Sequence, residues 1–284
     1  MPNPNPSPSR FSERETEEYY DAEDALYRSF WDAEGSLHWG IFDAPEEPVA
    51  DVRDSFLTAC SRLDDIMLEN SGIDGAAQVL DLGCGNGNTA TWLCRRTGAH
   101  VTGIDLSGVR IANAIESRNG VPELAPRLEF HKASATELPF ADGVFSHVWS
   151  QATIYHIPDK AKTLQEAYRV LQPGGVMVFD DLTKPRPDIS DEARTFVYDR
   201  LLFDTDFSFH SYMDALRETG FKVLEARDLS AHLARSYSCL SQMAAAGADP
   251  DRQERFNALS DAYLKMVSAV RNDELGWAQY LCVK

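Results

Sequence analysis

The spacing of hydrophobic residues along the chain changes from a helical period to a strand period. Proline recurs at every second position near the start, and helical patterning begins at about residue 12. An apolar stripe at helical spacing follows, formed by Val52, Phe56, Cys60, Leu63 and Met67. We therefore expect a disordered tail over residues 1–11 and a helical cap over residues 12–75.

Beyond residue 76 short apolar runs alternate with helical stretches. The predicted strands lie near residues 77–82, 100–104, 127–131, 144–149, 175–179, 222–228 and 277–283. The predicted helices between them lie near residues 87–97, 107–118 and 159–171. Because strand–helix–strand alternation at this interval builds parallel sheets, the expected fold class is α/β with a seven-stranded, mostly parallel, doubly wound sheet.

Composition narrows the possible partners. The chain has 284 residues, is 43% hydrophobic and carries a formal charge of −18, from 45 acidic and 27 basic side chains. A field of that sign repels nucleic acid and anionic membranes, so we expect neither as a partner. The five cysteines lack metal-ligand spacing, and no 18-residue apolar run or signal peptide is present, so we expect a cytoplasmic protein without a metal. Composition favours no particular oligomeric state.

A glycine-rich turn follows the first predicted strand. Gly83, Gly85 and Gly87 come after Asp81, and the next predicted strand ends in Asp105. A dinucleotide-binding loop would need its third glycine at Asn88, which disfavours a nicotinamide dehydrogenase. The Gly-x-Gly-x-Gly spacing behind an in-strand aspartate resembles motif I of class I methyltransferases that use S-adenosylmethionine (SAM).

The resemblance implies SAM as the cofactor and a Rossmann-like domain over residues 76–284. Gly83 and Gly85 would let backbone approach the methionine moiety, since glycine has no Cβ, and Asp105 would accept the ribose hydroxyls. Ser134 stands where the family usually has an aspartate that reaches the adenine amine, and a hydroxyl is a weaker acceptor than a carboxylate. The cofactor-binding residues implied are Asp81, Gly83, Gly85, Asp105, Leu106, Ser134, Ala135 and Gln151.

The segment after the fourth predicted strand narrows the resemblance. Ser150, Gln151 and His156 match the corresponding positions of small-molecule N-methyltransferases that act on sarcosine and dimethylglycine or on phosphoethanolamine, whereas their aspartate is replaced by Ala152. The resemblance implies a catalytic or site-closing role for His156, and the alternative is that its side chain only caps the turn after the strand.

The tyrosine-rich N-terminal helix resembles the cap of the same enzymes and of tocopherol-type methyltransferases. The resemblance implies that Tyr19 or Tyr20 hydrogen-bonds His156 and closes the site. Predicted contacts to the acceptor, including an aromatic cage for a methylated amine, come from Tyr27, Trp31, Trp39, Tyr155, Asp181 and His210. The acidic residues from Glu13 to Glu18 are predicted to form a solvated helix face.

The same resemblance places a lid over residues 184–214, a helical insert over residues 231–271, and an antiparallel seventh strand between the fifth and sixth. It also indicates a small-molecule methyl acceptor. Three functions stay open at this point. The first is methylation of an amine nitrogen, with His156 as base. The second is O- or C-methylation in a natural-product pathway, and the third is a SAM-binding cyclase or regulator that transfers no methyl group.

Overall fold

The computed structural model describes residues 10–31, 36–203, 205, 207–247 and 250–284. Seven strands form one sheet: β1 Gln78–Leu82, β2 His100–Asp105, β3 Leu128–Lys132, β4 Phe145–Gln151, β5 Leu171–Thr183, β6 Lys222–Asp228 and β7 Gly276–Val283. Their order is β3-β2-β1-β4-β5-β7-β6. The pairs among β1 to β5 are parallel, and β7 is antiparallel to both of its neighbours. The predicted fold class is confirmed.

Nine α-helices accompany this sheet in the described part of the chain. They are α1 Glu13–Phe30, α2 Val52–Ser71, α3 Asn88–Thr97, α4 Gly108–Asn119, α5 Lys160–Val170, α6 Asp191–Ala193, α7 Phe209–Thr219, α8 Ser230–Ala245 and α9 Gln253–Arg271. α1 begins with a capping box in which Ser12 and Glu15 satisfy each other's backbone N–H groups. Most of the predicted tail, residues 1–9, lies outside the described residues.

Alternating side chains of β1 build the core on both faces of the sheet. Val79 packs in one apolar cluster with Phe56 of α2 and Leu93 of α3. Leu80 packs in the other with Leu164 of α5. Each such fully buried side chain contributes roughly 1.5–3 kcal/mol of hydrophobic stabilisation. The helices therefore fix the sheet from both sides and leave its carboxyl edge for binding.

The two predicted inserts contain helices. Residues 184–214 include α6, a π-helical turn at Arg194–Asp199 and the first residues of α7, so the predicted lid extends into a regular helix. Residues 231–271 include most of α8 and all of α9, which pack on each other through stacked Tyr237 and Tyr263, 5.7 Å apart. The division into cap, catalytic domain and lid stays a prediction.

Two properties of the described residues bear on function. None of their helices combines the length and the apolar character needed to cross a membrane. Within the same residues, no three His, Cys, Asp or Glu side chains are grouped as metal ligands would be.

Candidate active site

A cavity lies at the carboxyl ends of β1, β2 and β4. In open α/β sheets this edge is where ligands bind. Nine of the residues predicted from sequence line it: Tyr20, Asp81, Gly83, Gly85, Asp105, Leu106, Ala135, Gln151 and His156. The α1 helix covers part of the cavity through Thr16, Glu17 and Tyr20.

The glycine-rich turn forms one wall. Gly83 and Gly85 have φ of 83° and 53°, a left-handed region that side chains disfavour. A Cβ on Gly83 would lie only 2.2 Å from the side chain of Thr153, so the loop after β4 closes directly against the turn. The glycine-rich turn and the loop after β4 therefore lie in direct contact, and the backbone of Gly83 and the side chain of Thr153 both line the cavity.

Asp105 is held rigidly at the end of β2. Its Oδ2 accepts from the Gly85 N–H at 2.9 Å, and its Oδ1 accepts from the Ser107 N–H at 2.8 Å. The pKa of Asp105 is raised above its usual value, because the effect of burial is larger than the opposing effects of the Arg110 charge and the two backbone donors. Each oxygen keeps a further lone pair, so the carboxylate can accept from a pair of neighbouring hydroxyls.

Asp81 is a buried acid with an unsatisfied oxygen. Its residue is 2% exposed, and Oδ2 has no hydrogen-bond partner in the described structure. Burial, reinforced by the nearby Asp105 and Asp64 carboxylates, raises the pKa of Asp81 to about 7. A buried acceptor of this kind is stabilised by a cation that donates hydrogen bonds to it.

His156 meets the cap at the opposite wall. The Tyr20 hydroxyl forms a short hydrogen bond with His156 Nε2, and the two rings stand edge to face with centroids 5.0 Å apart. Burial, then the charges of Lys160 and Arg110, hold the pKa of His156 well below its usual value. The imidazole is therefore neutral at physiological pH and a weaker base than an exposed histidine. Tyr19 does not take this role, because its hydroxyl pairs with that of Tyr27 at 2.5 Å.

Gln151 links the cavity to a second buried charge pair. Its Nε2 donates to Asp64 Oδ1 at 2.8 Å, and Asp64 Oδ1 lies 3.7 Å from His38 Nε2. Burial lowers the pKa of His38, but the carboxylate of Asp64 and the thiol of Cys60 raise it well above its usual value. His38 lines this cavity and an adjoining one that also contains Trp31.

Two aspartates at the end of β5 differ in their partners. Asp181 Oδ1 accepts from the Tyr155 N–H at 2.8 Å and Oδ2 from the Tyr212 hydroxyl at 3.0 Å, so both oxygens serve structural bonds. Asp180 Oδ1 accepts from Trp277 Nε1 at 2.8 Å, whereas its Oδ2 has no hydrogen-bond partner among the described residues. Asp180, and not the predicted Asp181, therefore has a carboxylate oxygen that can accept a further hydrogen bond.

Other predicted residues lie off the cavity surface. Ser134 donates to Glu13 Oε1 at 2.6 Å and is not part of the lining, although its neighbour Ala135 is. His210 is exposed on α7 and lies away from the site. The remaining aromatic candidates are buried, and none lines the main cavity: Tyr27, Trp31, Trp39 and Tyr155. Trp39 lies 6.1 Å from Tyr155 between ring centroids, so these rings pack on each other.

Sequence reasoning missed how α1 attaches. Four acids at positions 13, 17, 21 and 24 form a stripe that faces the sheet edge and pairs with it. Glu17 pairs with Lys132 at 2.5 Å, and Asp21 accepts from Ser107 at 2.5 Å. Buried Asp24 accepts from Asn86 at 2.9 Å. The prediction of a solvated face is therefore wrong for Glu13 and Glu17, and the i, i+4 spacing of the acids was the available signal.

Arg110 is a second residue that sequence reasoning missed. It is buried on α4, lines the cavity and lies 3.4 Å from Asp24. Its guanidinium stacks 4.1 Å over the ring of Tyr20. This cation–π contact holds the ring that contacts His156.

Comparisons with known proteins agree with this geometry. Residues 80–179 match the model of a methyltransferase domain. The sarcosine/dimethylglycine N-methyltransferase of Halorhodospira halochloris is 32% identical over 224 residues, covering 78% of this chain and 76% of that protein.

Two solved structures share the fold. The [4+2]-cyclase SpnF superposes with a TM-score of 0.76 at 24% identity, over 96% of both chains. Geranyl diphosphate C-methyltransferase from Streptomyces coelicolor A3(2), bound to S-adenosyl-L-homocysteine, superposes at 0.77 with 17% identity, over 98% of this chain and 99% of that one. The cavity, its glycine turn and the sequence relatives agree. The chain therefore belongs to the class I SAM-dependent methyltransferases and is a small-molecule methyltransferase with SAM as its cofactor.

Proposed function

We propose that the enzyme transfers the SAM methyl group to the nitrogen of a small amine. The observation that carries this proposal is Asp180, which is fully buried and has an oxygen without a hydrogen-bond partner in the described structure. Asp180 does not line the cavity itself, but it pairs in register with Gln151, which does. Burial raises the pKa of Asp180 to about 7, although the Trp277 hydrogen bond and the His38 charge lower it.

The cofactor fits the other polar groups of the cavity. In this proposal the unsatisfied Asp81 oxygen accepts from the α-ammonium group of SAM, and Asp105 accepts from the ribose hydroxyls. Gly83 and Gly85 leave room for the methionine moiety, and Leu106 and Ala135 contact the base. The sulfonium supplies an electrophilic methyl group to the acceptor.

Asp180, a second buried acid in addition to Asp81, favours a second bound cation besides the ammonium group of SAM. One ammonium group, that of SAM, is matched by Asp81, and an acceptor amine is matched by Asp180. The 32% identical relative, whose name describes an N-methyltransferase of sarcosine and dimethylglycine, supports the same class of acceptor.

His156 supplies the base that this reaction needs. An ammonium group has no lone pair, so it must lose a proton before its nitrogen attacks. Neutral His156 takes that proton, the S–CH₃ bond breaks as the N–CH₃ bond forms, and the sulfonium becomes a thioether. The hydrogen bond between Tyr20 and His156 Nε2 fixes the imidazole in the cavity wall while the reacting atoms are held in line.

The test is an acceptor panel with isotopically labelled SAM, comparing amines with phenols and enolisable ketones of similar size. Label is expected in amines, and Asp180→Asn is expected to raise KM for amines by roughly 10-fold or more, as for loss of a charged partner. Asp214→Asn, an exposed acid on α7, is the matched control. Transfer only to oxygen or carbon would refute N-methylation. Cofactor binding without S-adenosylhomocysteine formation from any acceptor would refute methyl transfer itself.

A further inference from the structure

The cavity has a direction that follows from the strand order. β1 contributes Asp81, β2 contributes Asp105, and β3 lies beyond β2 at the edge of the sheet. SAM carries its ammonium group at one end, its ribose in the middle and its adenine at the other end. With the ammonium at Asp81 and the ribose at Asp105, as in the proposed function on which this step rests, adenine lies at the β3 end.

That end has apolar walls and one acid. Leu106, Ala133 and Ala135 line it and suit the faces of a purine. The exocyclic amine on the purine edge is a donor and needs an acceptor when buried. Ser134 is engaged elsewhere, because its hydroxyl donates to Glu13 and accepts from the Thr136 N–H at 3.1 Å.

Glu17 is the acid at this position. Among the described residues that line the cavity, the carboxylates are Asp81, Asp105 and Glu17. Glu17 Oε1 pairs with Lys132 Nζ at 2.5 Å, and Lys132 is the last residue of β3, directly before Ala133. The side chain is 29% exposed, so the ion pair holds it at the rim of the adenine end. A carboxylate has about four acceptor sites, which leaves capacity beyond the lysine.

We propose that Glu17 of the cap helix recognises the 6-amino group of the cofactor's adenine. The residue is then a specificity determinant for the cofactor, supplied by α1 and not by the loop after β3. Tyr20 lies one turn further along the same helix and contacts His156, so adenine recognition and the catalytic wall share one rigid element. A cofactor analogue with a 6-oxo group would place an acceptor against the Glu17 carboxylate and be disfavoured.

The experiment compares S-adenosyl-L-homocysteine with S-inosyl-L-homocysteine, its 6-oxo analogue, by isothermal titration calorimetry on the full chain. Wild-type enzyme is expected to prefer the adenosyl compound by roughly 10- to 100-fold, the range for a hydrogen bond to a charged group. In Glu17→Gln the preference should fall to within about threefold, because the amide can donate to a 6-oxo group.

Three controls separate recognition from anchoring of the helix. Glu18→Gln changes an exposed acid on the same turn that pairs with Arg14, and should leave the preference unchanged. Lys132→Met removes the ion pair and should keep part of the preference, because the acid remains but is no longer held in place. An equal loss of affinity for both compounds in Glu17→Gln, an unchanged ratio, or no preference in the wild type would each overturn the proposal. The thermal unfolding midpoint of each variant is compared with that of the wild type, so that a loss of affinity caused by destabilisation of the fold is recognised.

Discussion

Replacing Asp81 by asparagine should make the unliganded protein more stable at neutral pH and weaken its binding of cofactor. Burial raises the pKa of Asp81 from 3.8 to about 7, so the folded state holds this proton more tightly than the unfolded state. Stability attributable to this group therefore falls as pH rises from about 4 to 7 and is level above 7. Between pH 5.5 and 7 the fall is 1.5 pH units, or about 2 kcal/mol at ~1.36 kcal/mol per unit.

The assay is urea unfolding of wild type and Asp81→Asn at several pH values from 5.5 to 7.5. The difference in unfolding free energy should move by about 2 kcal/mol in favour of the variant over this range. The pKa values of Asp180 and Asp181 are also raised to about 7 by burial, but both residues are present in both proteins, so the difference isolates Asp81. A constant difference from pH 5.5 to 7.5 would contradict the assignment of a raised pKa.

Cofactor binding should show the opposite trend. A bound ammonium group favours ionised Asp81, so wild-type affinity for S-adenosylhomocysteine should rise by about 15-fold from pH 5.5 to 7, by about twofold more above pH 7, and then level off. Calorimetry at pH 6 in buffers of different ionisation enthalpy should show release of nearly one proton. In Asp81→Asn the affinity should be lower and almost independent of pH. A variant that keeps the wild-type pH profile would place the ammonium site elsewhere.

Three further changes test the cavity. Gly83→Ala should lower cofactor affinity by more than about 100-fold in calorimetry, through a 2.2 Å clash with Thr153 and a φ of 83°; Gly108→Ala, whose Cβ would lie 3.8 Å from Lys132, is its tolerated control. Asp105→Ala should weaken binding by about 1.5–3 kcal/mol, the worth of charged hydrogen bonds to two hydroxyls; unchanged affinity would show that the ribose lies elsewhere. Tyr20→Phe should lower kcat more than it lowers cofactor affinity, because His156 loses its hydroxyl partner. Steady-state kinetics measures kcat and calorimetry measures the affinity; equal losses in both would show that the contact has only a structural role.

The fold was predictable because each strand carries its own local signal. Strands β1 to β4 lie within about two residues of the bounds predicted from sequence, and Gly72, at a φ of 70°, ends α2 ahead of the first of them. The start of β5 was predicted near residue 175 but lies at Leu171. There the ladder shifts from the pair Phe145–Leu171 to the pair His147–Val176, which absorbs a predicted turn into the strand. Residues 172–175 have no partner in that ladder, and Gly174 has a left-handed φ of 78°, so the predicted turn is kept as an irregularity inside the strand.

The cofactor half of the candidate site was predictable for a related reason. Asp81, Gly83, Gly85 and Asp105 lie in one strand–turn–helix–strand unit, where parallel register brings their backbone segments together. The predicted acceptor residues depend instead on how α1, α8 and α9 pack over that unit. Periodicity identified their aromatic positions as a stripe but not which rings face the cavity, and Trp39 and Tyr155 turned out to pack on each other.

The acidic stripe of α1 shows why polarity alone misleads in such a cap. An acid is usually solvated, yet Asp24 is 4% exposed because Asn86, Asn113 and Arg110 satisfy it from the glycine turn and α4. A helix held by hydrogen bonds and ion pairs loses less on separation from its partner than one held by apolar burial, since water replaces each polar contact. The first turns of α1, which cover the cavity, are therefore held mainly by polar contacts that water can replace, whereas Leu26 and Tyr27 anchor the later turns in the apolar core. This accounts for a cavity whose wall includes Thr16, Glu17 and Tyr20 and which must still admit SAM and release S-adenosylhomocysteine.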